Sequence, residues 1–179
     1  INYQGGVALP YRYNQTENGF DIDLDYLAKS ISAKTKVLIL NNYQNPMSAS
    51  SSKEELKALS KLVLKHDLWV LSDDAYYEIR YSQDSPNSIL NFPGMKQRTV
   101  ILYTFSKKYA MTGWRIGASI GPESLIKHMA RFNINDESCT NHFIQHALAS
   151  VLNDSNNDGD EIIKKLMKRR DLCLKKLNS

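Results

Sequence analysis

The chain has little cysteine and no long hydrophobic run. Of its 179 residues only two are cysteines, Cys139 and Cys173, which lie far apart and form no CxxC pair. Two isolated thiols argue against a disulfide framework and favour reduced cysteines in a cytoplasmic protein. No stretch approaches the roughly 18 consecutive apolar residues that a membrane span requires, and residues 1–6 have no signal-peptide character. We therefore expect no membrane partner.

The chain also lacks a dense block of basic charge and the spacing of a metal site. Its net charge of +4 comes from dispersed lysines and arginines, which is unlike the basic arm of a nucleic-acid-binding protein. His142 and His146 are four residues apart, but no HExxH motif accompanies them. We expect this protein to bind neither nucleic acid nor a metal ion.

Short apolar runs alternate with helical patterns along most of the chain. Runs without polar alternation are typical of strands that are buried on both faces of a parallel sheet. Predicted strands cover residues 7–13, 36–40, 68–72, 99–103 and 116–120. Predicted helices follow an N-cap at Asp23 and a capping box of Ser52 and Glu55, and others cover 122–132, 142–152 and 161–177. This order predicts an α/β fold, a three-layer sandwich with a mostly parallel sheet.

The most informative segment is residues 99–121, where an apolar strand runs into a polar and basic cluster. Hydroxyl, amine and guanidinium groups at the carboxyl end of a strand suit an anionic ligand, most simply a phosphate. A solvated basic loop is the alternative, but Trp114 and the flanking glycines favour an enclosed Arg115 that needs a partner. The cluster contains Thr104, Ser106, Lys107, Lys108 and Arg115.

Two other predicted strands also end in polar clusters. One strand is followed by residues 41–46, which end in Asn45-Pro46, and the other by residues 73–77, which begin with Asp73. Each cluster has a simpler explanation, since Asn-Pro favours a turn and an aspartate can cap one. Because ligands bind at the carboxyl ends of strands in open α/β sheets, we expect the three clusters to lie at one edge.

These motifs resemble those of class I and II aminotransferases, which are pyridoxal-phosphate enzymes of fold type I. Thr104-x-Ser106-Lys107, followed by Arg115 in Gly-Trp-Arg-x-Gly, is similar to the lysine segment of that family. The intervals also agree, with 28 residues from Asn45 to Asp73 and 34 from Asp73 to Lys107. The resemblance extends over nearly the whole chain and implies the large domain of an aminotransferase, in incomplete form.

The resemblance implies pyridoxal 5′-phosphate as the cofactor and a catalytic role for Lys107. In the family this lysine forms a Schiff base with the cofactor aldehyde and later moves the α-proton of the substrate. Arg115 and Thr104 would hold the phosphate, and Ser106 is a weaker phosphate ligand.

The other two clusters match cofactor-ring positions of the family. Residues 72–76, Ser-Asp-Asp-Ala-Tyr, resemble a family motif that assigns Asp73 to the pyridine nitrogen and Tyr76 to the ring hydroxyl. Asn45 would reach the ring oxygen and the substrate carboxylate. Asp74 departs from the family glutamate, and residues 43 and 47–48 replace a proline and a Thr-Gly pair.

The function that the resemblance implies is transfer of an amino group between an amino acid and a 2-oxo acid, by a homodimer in the full-length protein. Lyases and synthases share the fold, and a non-catalytic fragment is a third alternative. The chain starts with Ile, and the family's early phosphate-binding helix and C-terminal small domain have no counterpart. We therefore expect residues 1–155 to be part of the large domain, residues 160–179 to be a helix leading toward an absent small domain, and the chain alone to be inactive or very weak.

Overall fold

A computed structural model describes residues 1–17, 19–82, 84–153 and 159–178. The chain divides into two units. Unit 1 contains residues 1–73 and 87–100, and unit 2 contains residues 74–86 and 101–179. The predicted boundary at residue 155 lies outside the described residues, so the division into 1–155 and 160–179 stays a prediction.

The strands form a two-stranded and a four-stranded sheet. Strands β1 (Tyr13–Thr16) and β2 (Gly19–Ile22) are antiparallel. The larger sheet has the order β3 (Val37–Leu40), β4 (Trp69–Asp73), β5 (Thr99–Thr104), β6 (Gly117–Ile120). Strands β3 and β4 are parallel with Val37 opposite Trp69, whereas β5 and β6 are antiparallel with Ile101 opposite Ile120.

Six α-helices are assigned within the described residues. They are α1 (Leu24–Ser30), α2 (Lys53–Lys65), α3 (Phe105–Lys108), α4 (Glu123–Asp136), α5 (His142–Asn153) and α6 (Gly159–Leu177). Short 3₁₀ turns occur at Asn2–Gln4, Ile89–Asn91 and Thr112–Trp114. With helices connecting a mixed, mostly parallel sheet, the predicted α/β class is confirmed. None of the helices in the described part of the chain is long and apolar enough to cross a membrane.

Both predicted helix starts in unit 1 are confirmed by their hydrogen bonds. The Asp23 carboxylate accepts a bond of 2.9 Å from the Tyr26 amide at the start of α1. At the start of α2 the Ser52 hydroxyl accepts from the Glu55 amide at 3.1 Å, and the Glu55 carboxylate accepts from the Ser52 amide at 3.3 Å. These side chains satisfy amide groups that the first turn of a helix leaves without partners.

The core of unit 1 lies between helices α1 and α2 and one face of strands β3 and β4. It is built from fully buried aliphatic side chains: Leu40, Leu56, Leu59, Val63, Leu68 and Val70. On strand β3, Leu38 is 7% exposed whereas Val37 is 50% exposed. The prediction that the strand at residues 36–40 is buried on both faces is therefore wrong, because one face of β3 is exposed. Apolar residues at successive positions project to opposite faces, and the helices of unit 1 cover only one of them.

The predicted strand at residues 7–13 is also wrong. Val7 and Leu9 are exposed, and strand pairing begins only at Tyr13, which lies opposite Ile22. Pro10 has no amide hydrogen, so it cannot donate to a strand ladder. Strand β1 begins at Tyr13 and pairs with β2, a strand that the sequence pattern did not predict.

Unit 2 has a smaller core between helix α5 and the strands β5 and β6. Ile144 and Leu148 of α5 pack with Phe105 and Ile116. On helix α4, Ile126 and Met129 line a cavity of about 350 Å³ together with strand residues that include Leu102. Five of the seven candidate site residues lie in unit 2, namely Tyr76, Thr104, Ser106, Lys107 and Arg115.

Candidate functional site

Strand β5 ends at Thr104, and this residue starts the helical turn that carries Lys107. The Thr104 hydroxyl oxygen accepts a 3.2 Å hydrogen bond from the Ser106 amide, so Thr104 is the N-cap of α3. Phe105 and Ser106 are buried on the inner side of this four-residue helix, while Lys107 and Lys108 are half-buried. The predicted position of Lys107 just beyond a strand end is thus confirmed.

The side-chain nitrogen of Lys107 lies over an aromatic ring. Its Nζ is 5.5 Å from the centroid of the Tyr76 ring, within the range of a cation–π contact. Tyr76 belongs to the segment that follows β4, and it is half-buried. Unit 2 therefore brings together two side chains, Lys107 and Tyr76, that the sequence pattern placed in separate clusters.

Lys108 has a different environment from its neighbour. Its Nζ is 2.6 Å from the Glu78 carboxylate and 5.3 Å from the centroid of the Tyr109 ring. Burial alone lowers the pKa of Lys108, but the hydrogen bond and charge of Glu78 outweigh that effect, so the pKa is raised. Lys108 is thereby held as an ammonium ion in a salt bridge.

Glu78 is a site-adjacent residue that the sequence analysis missed. Its second carboxylate oxygen accepts a hydrogen bond from the Tyr103 hydroxyl on β5. Burial, followed by the hydrogen bond and charge of Glu78, raises the pKa of Tyr103. No motif marks Glu78, because its partners are 25 and 30 residues away along the chain.

Arg115 is not enclosed as the flanking Trp and glycines led us to expect. The 3₁₀ turn Thr112–Trp114 ends at Arg115, whose φ of 52° is left-handed, and both Trp114 and Arg115 are exposed. Its Nη1 donates to the Thr112 carbonyl at 3.1 Å. The guanidinium has five N–H donors, so the bond to Thr112 leaves other donors that can bind an anion.

In unit 1, Asn45 lies in an exposed loop held by its neighbours. Asn45 and Pro46 are joined by a cis peptide bond. The Gln44 amide donates to the Ala49 carbonyl at 2.7 Å, which closes the loop around them. The loop therefore has a defined conformation even though it lacks the family's Thr-Gly pair.

The unmatched residue Tyr43 has a structural partner. Its hydroxyl donates to the Asn87 carbonyl at 3.2 Å, and the buried Asn42 donates to the same carbonyl at 2.9 Å. Asn42 also accepts from the Ser51 amide at 3.1 Å. These bonds fix the loop entrance from a distant segment of unit 1, and sequence spacing alone could not have revealed them.

Asp73 is the last residue of β4 and is half-buried, as predicted for a carboxylate at a strand end. It belongs to unit 1 together with Asn45, whereas unit 2 holds Tyr76, Thr104, Ser106, Lys107 and Arg115. The expectation that all three clusters meet at one edge stays a prediction.

The histidine pair noted in the sequence forms a ring contact. The rings of His142 and His146 pack edge to face with centroids 4.6 Å apart on helix α5. Among the described residues no three His, Cys, Asp or Glu side chains converge as metal ligands would. The pair is explained by packing on one helix face.

The chain is similar in sequence to aminotransferases. The family model described as aminotransferase class I and II matches residues 1–179. The chain is 37% identical over 164 residues to aromatic-amino-acid aminotransferase 2 of Thermococcus litoralis, covering 90% of this chain and 42% of that protein. It is 36% identical over 162 residues to an aspartate aminotransferase of Musicola paradisiaca, covering 90% and 40%.

Solved aminotransferase structures share the fold. A single mutant of the Thermus thermophilus aspartate aminotransferase gives a TM-score of 0.87 at 29% identity, covering 99% of this chain and 46% of that one. The aromatic aminotransferase of Pyrococcus horikoshii gives 0.83 at 37% identity, covering 89% and 43%. The chain thus spans less than half the length of these relatives.

Proposed function

Because the chain belongs to the class I and II aminotransferase family, we propose that it provides the cofactor-binding part of a pyridoxal 5′-phosphate-dependent aminotransferase. The observation that carries the proposal is the contrast between two adjacent lysines. Lys108 is in a salt bridge with Glu78. Lys107 lies over Tyr76 and takes part in no ion pair among the described residues. Lys107 is thus the lysine of the pair that is available to an aldehyde.

The side chains of unit 2 fit this cofactor chemically. Arg115 and the Thr104 hydroxyl are suited to a phosphate, because charge-assisted bonds from a guanidinium are among the strongest that phosphate receives. The buried Ser106 hydroxyl is a second, less accessible candidate. Lys107 supplies an amine for the aldehyde, and the Tyr76 phenol supplies a hydrogen-bond donor for the ring hydroxyl.

The side chains of unit 1 fit the cofactor ring. Asp73 would pair with the pyridine nitrogen and hold a proton there, and Asn45 would hydrogen-bond the ring oxygen and the substrate carboxylate. The cofactor, when bound, supplies an electron sink for the carbanion that forms at the α-carbon of the substrate. The carboxylate of Asp73 would strengthen that property by favouring a protonated ring nitrogen.

Lys107 would act in two ways. Its amine would hold the cofactor through the aldehyde group. The same amine would serve as the general base that takes the proton from the substrate α-carbon. The contact with the Tyr76 ring restrains this amine.

The proposed substrates are an amino acid and a 2-oxo acid, and we propose a homodimer in the cytoplasm for the full-length protein. The relatives reported above carry aminotransferase names, which favours this reaction over the lyase and synthase alternatives. Incubation of the full-length protein with an amino acid and 2-oxoglutarate separates these reactions. A transferase forms glutamate, whereas a lyase releases ammonia or another leaving group and forms no glutamate.

The test of cofactor binding is a spectroscopic titration of the 179-residue chain with pyridoxal 5′-phosphate. We expect a visible absorption band for the wild type and for Lys108→Ala, and loss of that band in Lys107→Ala. Lys108→Ala is the matched control, because it removes the adjacent lysine of the same helical turn. A band that persists in Lys107→Ala but disappears in Lys108→Ala would contradict the proposal.

A further inference from the structure

Glu78 connects the strand before the lysine pair to the helical turn that carries it. One carboxylate oxygen accepts from Lys108 Nζ at 2.6 Å, and the other accepts from the hydroxyl of Tyr103 on β5. The side chains of Lys108 and Glu78 are 19% and 30% exposed, so water screens this ion pair only in part. Because each of its two oxygens accepts one of these hydrogen bonds, the Glu78 carboxylate is held between Lys108 and Tyr103.

The aliphatic part of Lys108 is held as well. A Cβ atom built on Gly159 would lie 2.9 Å from Cγ and 3.0 Å from Cε of Lys108, so the glycine at the start of α6 is in close contact with the lysine. Such distances exclude a side chain at this position unless Lys108 moves. The side chain of Lys108 therefore contacts Gly159 along its aliphatic part and Glu78 at its charged end.

A surface ion pair of the same length provides a comparison. Lys127 and Glu123 are also 2.6 Å apart, but their side chains are 70% and 81% exposed. Exposed pairs contribute little because water screens them and both side chains remain mobile. The pair of Lys108 and Glu78 differs in its enclosure and in its additional tyrosine donor, and these features point to a specific role.

The segment that contains Glu78 faces both lysines. Tyr76 presents its ring to Lys107, with 5.5 Å between Nζ and the ring centroid, and Glu78, two residues later, presents its carboxylate to Lys108. Adjacent lysines of one helical turn thus receive an aromatic ring and a carboxylate from one segment. Only the second of these groups holds its lysine as a hydrogen-bonded ammonium ion.

We propose that Glu78 is a positioning residue that withdraws Lys108 from reaction and leaves Lys107 as the reactive amine of the pair. An ammonium group has no lone pair and cannot attack a carbonyl carbon, so the ion pair with Glu78 lowers the reactivity of Lys108 as a nucleophile. This inference rests on the proposed function, because it concerns which lysine receives the aldehyde. The raised pKa of Lys108 supports it.

The first test measures amine reactivity without any cofactor. Trace acylation with acetic anhydride, followed by peptide mass spectrometry, gives the relative rates of Lys107, Lys108 and Lys127. We expect Glu78→Gln to increase the rate of Lys108 by about tenfold or more, because a lysine that loses an adjacent opposite charge in a half-buried site is more often neutral. Lys107 should change little.

The matched control is Glu123→Gln, which removes the carboxylate from the exposed pair. There the rate of Lys127 should rise by no more than about twofold, since exposed pairs are weak. An unchanged rate for Lys108 in Glu78→Gln would overturn the inference. Circular dichroism verifies that each variant is folded, and Glu78→Asp, which keeps a shorter carboxylate, should give an intermediate Lys108 rate and provides a second variant if Glu78→Gln unfolds.

The second test adds pyridoxal 5′-phosphate and sodium borohydride. An amine and the aldehyde form a C=N bond with loss of water, and borohydride reduces that bond to a stable secondary amine. We expect label on Lys107 in the wild type and on both lysines in Glu78→Gln. Label confined to Lys107 in both proteins, with no change in acylation, would overturn the role of Glu78 while supporting the proposed function. Absence of label with an acylation contrast would support the role of Glu78 and overturn the proposed function.

Discussion

At the residue scale, two lysines with the same intrinsic chemistry differ because of their neighbours. Glu78 stabilises the charged form of Lys108, and Tyr103 donates to the same carboxylate. Neither contact follows from local sequence, since the partners lie on elements that only the fold brings together. The difference between Lys107 and Lys108 is therefore a property of tertiary structure, even though the motif that contains them is local.

The salt bridge of Lys108 predicts a pH dependence of stability. The pKa values of Lys108 and Tyr103 are both raised in the folded chain, so the folded state retains protons that the unfolded state loses first. Their contribution is complete below the unfolded pKa values, about 10 for both types of side chain, and is lost as the pH rises through the folded values. We expect the wild type to exceed Glu78→Gln in free energy of unfolding by about 1.5 kcal/mol near pH 8, and by less above about pH 10.

Urea unfolding of both proteins across this pH range measures the difference. Glu123→Gln serves as a control and should differ from the wild type by less than about 0.5 kcal/mol throughout, because its ion pair is exposed. If the difference in free energy of unfolding between the wild type and Glu78→Gln grew above pH 10, the predicted direction of the pH dependence would be wrong.

At the element scale, the segment that follows Lys107 requires glycine at residue 117, the start of β6, but not at residue 113 in the 3₁₀ turn. Gly117 lies opposite Thr104 in the antiparallel pair of β5 and β6, and a Cβ atom there would approach the Tyr103 carbonyl oxygen to 2.8 Å. Gly113, in the preceding 3₁₀ turn, has no atom within 4 Å of the corresponding position. Only the first glycine is required by a close approach of two backbones.

We expect Gly117→Ala to lower the free energy of unfolding by about 1–3 kcal/mol, because the strand ends must separate to admit the methyl group. The matched variant Gly113→Ala, at an exposed position, should change it by no more than about 0.5 kcal/mol. Thermal or urea denaturation of the two proteins measures the contrast. Equal effects of the two substitutions would refute the role assigned to Gly117.

The elements that could be predicted are those with local signals. The caps at Asp23 and Ser52 were correct because capping involves residues only three positions apart. The strand at residues 7–13 was wrong because pairing depends on a partner strand, and the exposed side chain of Val37 was unexpected because burial depends on what covers the sheet. Local hydrogen bonding is thus readable from sequence, whereas the coverage of a face is not.

At the scale of the whole molecule, the predicted family is confirmed. It could be predicted because the motifs of this chain match those of the family both in residue type and in the intervals between them. The sequence pattern correctly predicted that Thr104 and Lys107 lie at a strand end. It wrongly predicted that Arg115 is enclosed, and it gave no sign of Glu78. A motif specifies which residue types follow a strand, while the exposure of Arg115 depends on the left-handed turn in which it lies. The partners of Glu78 depend on strand β5 and helix α3 being adjacent to its segment.

The central claim is that Lys107, and not its neighbour, is the lysine that binds the cofactor. Borohydride reduction of the wild-type chain with pyridoxal 5′-phosphate, followed by peptide mapping, tests it most directly. The expected result is a single labelled lysine, Lys107, with Lys107→Ala as the unlabelled control. Label on Lys108 in the wild type, or no label on either lysine, would contradict the claim.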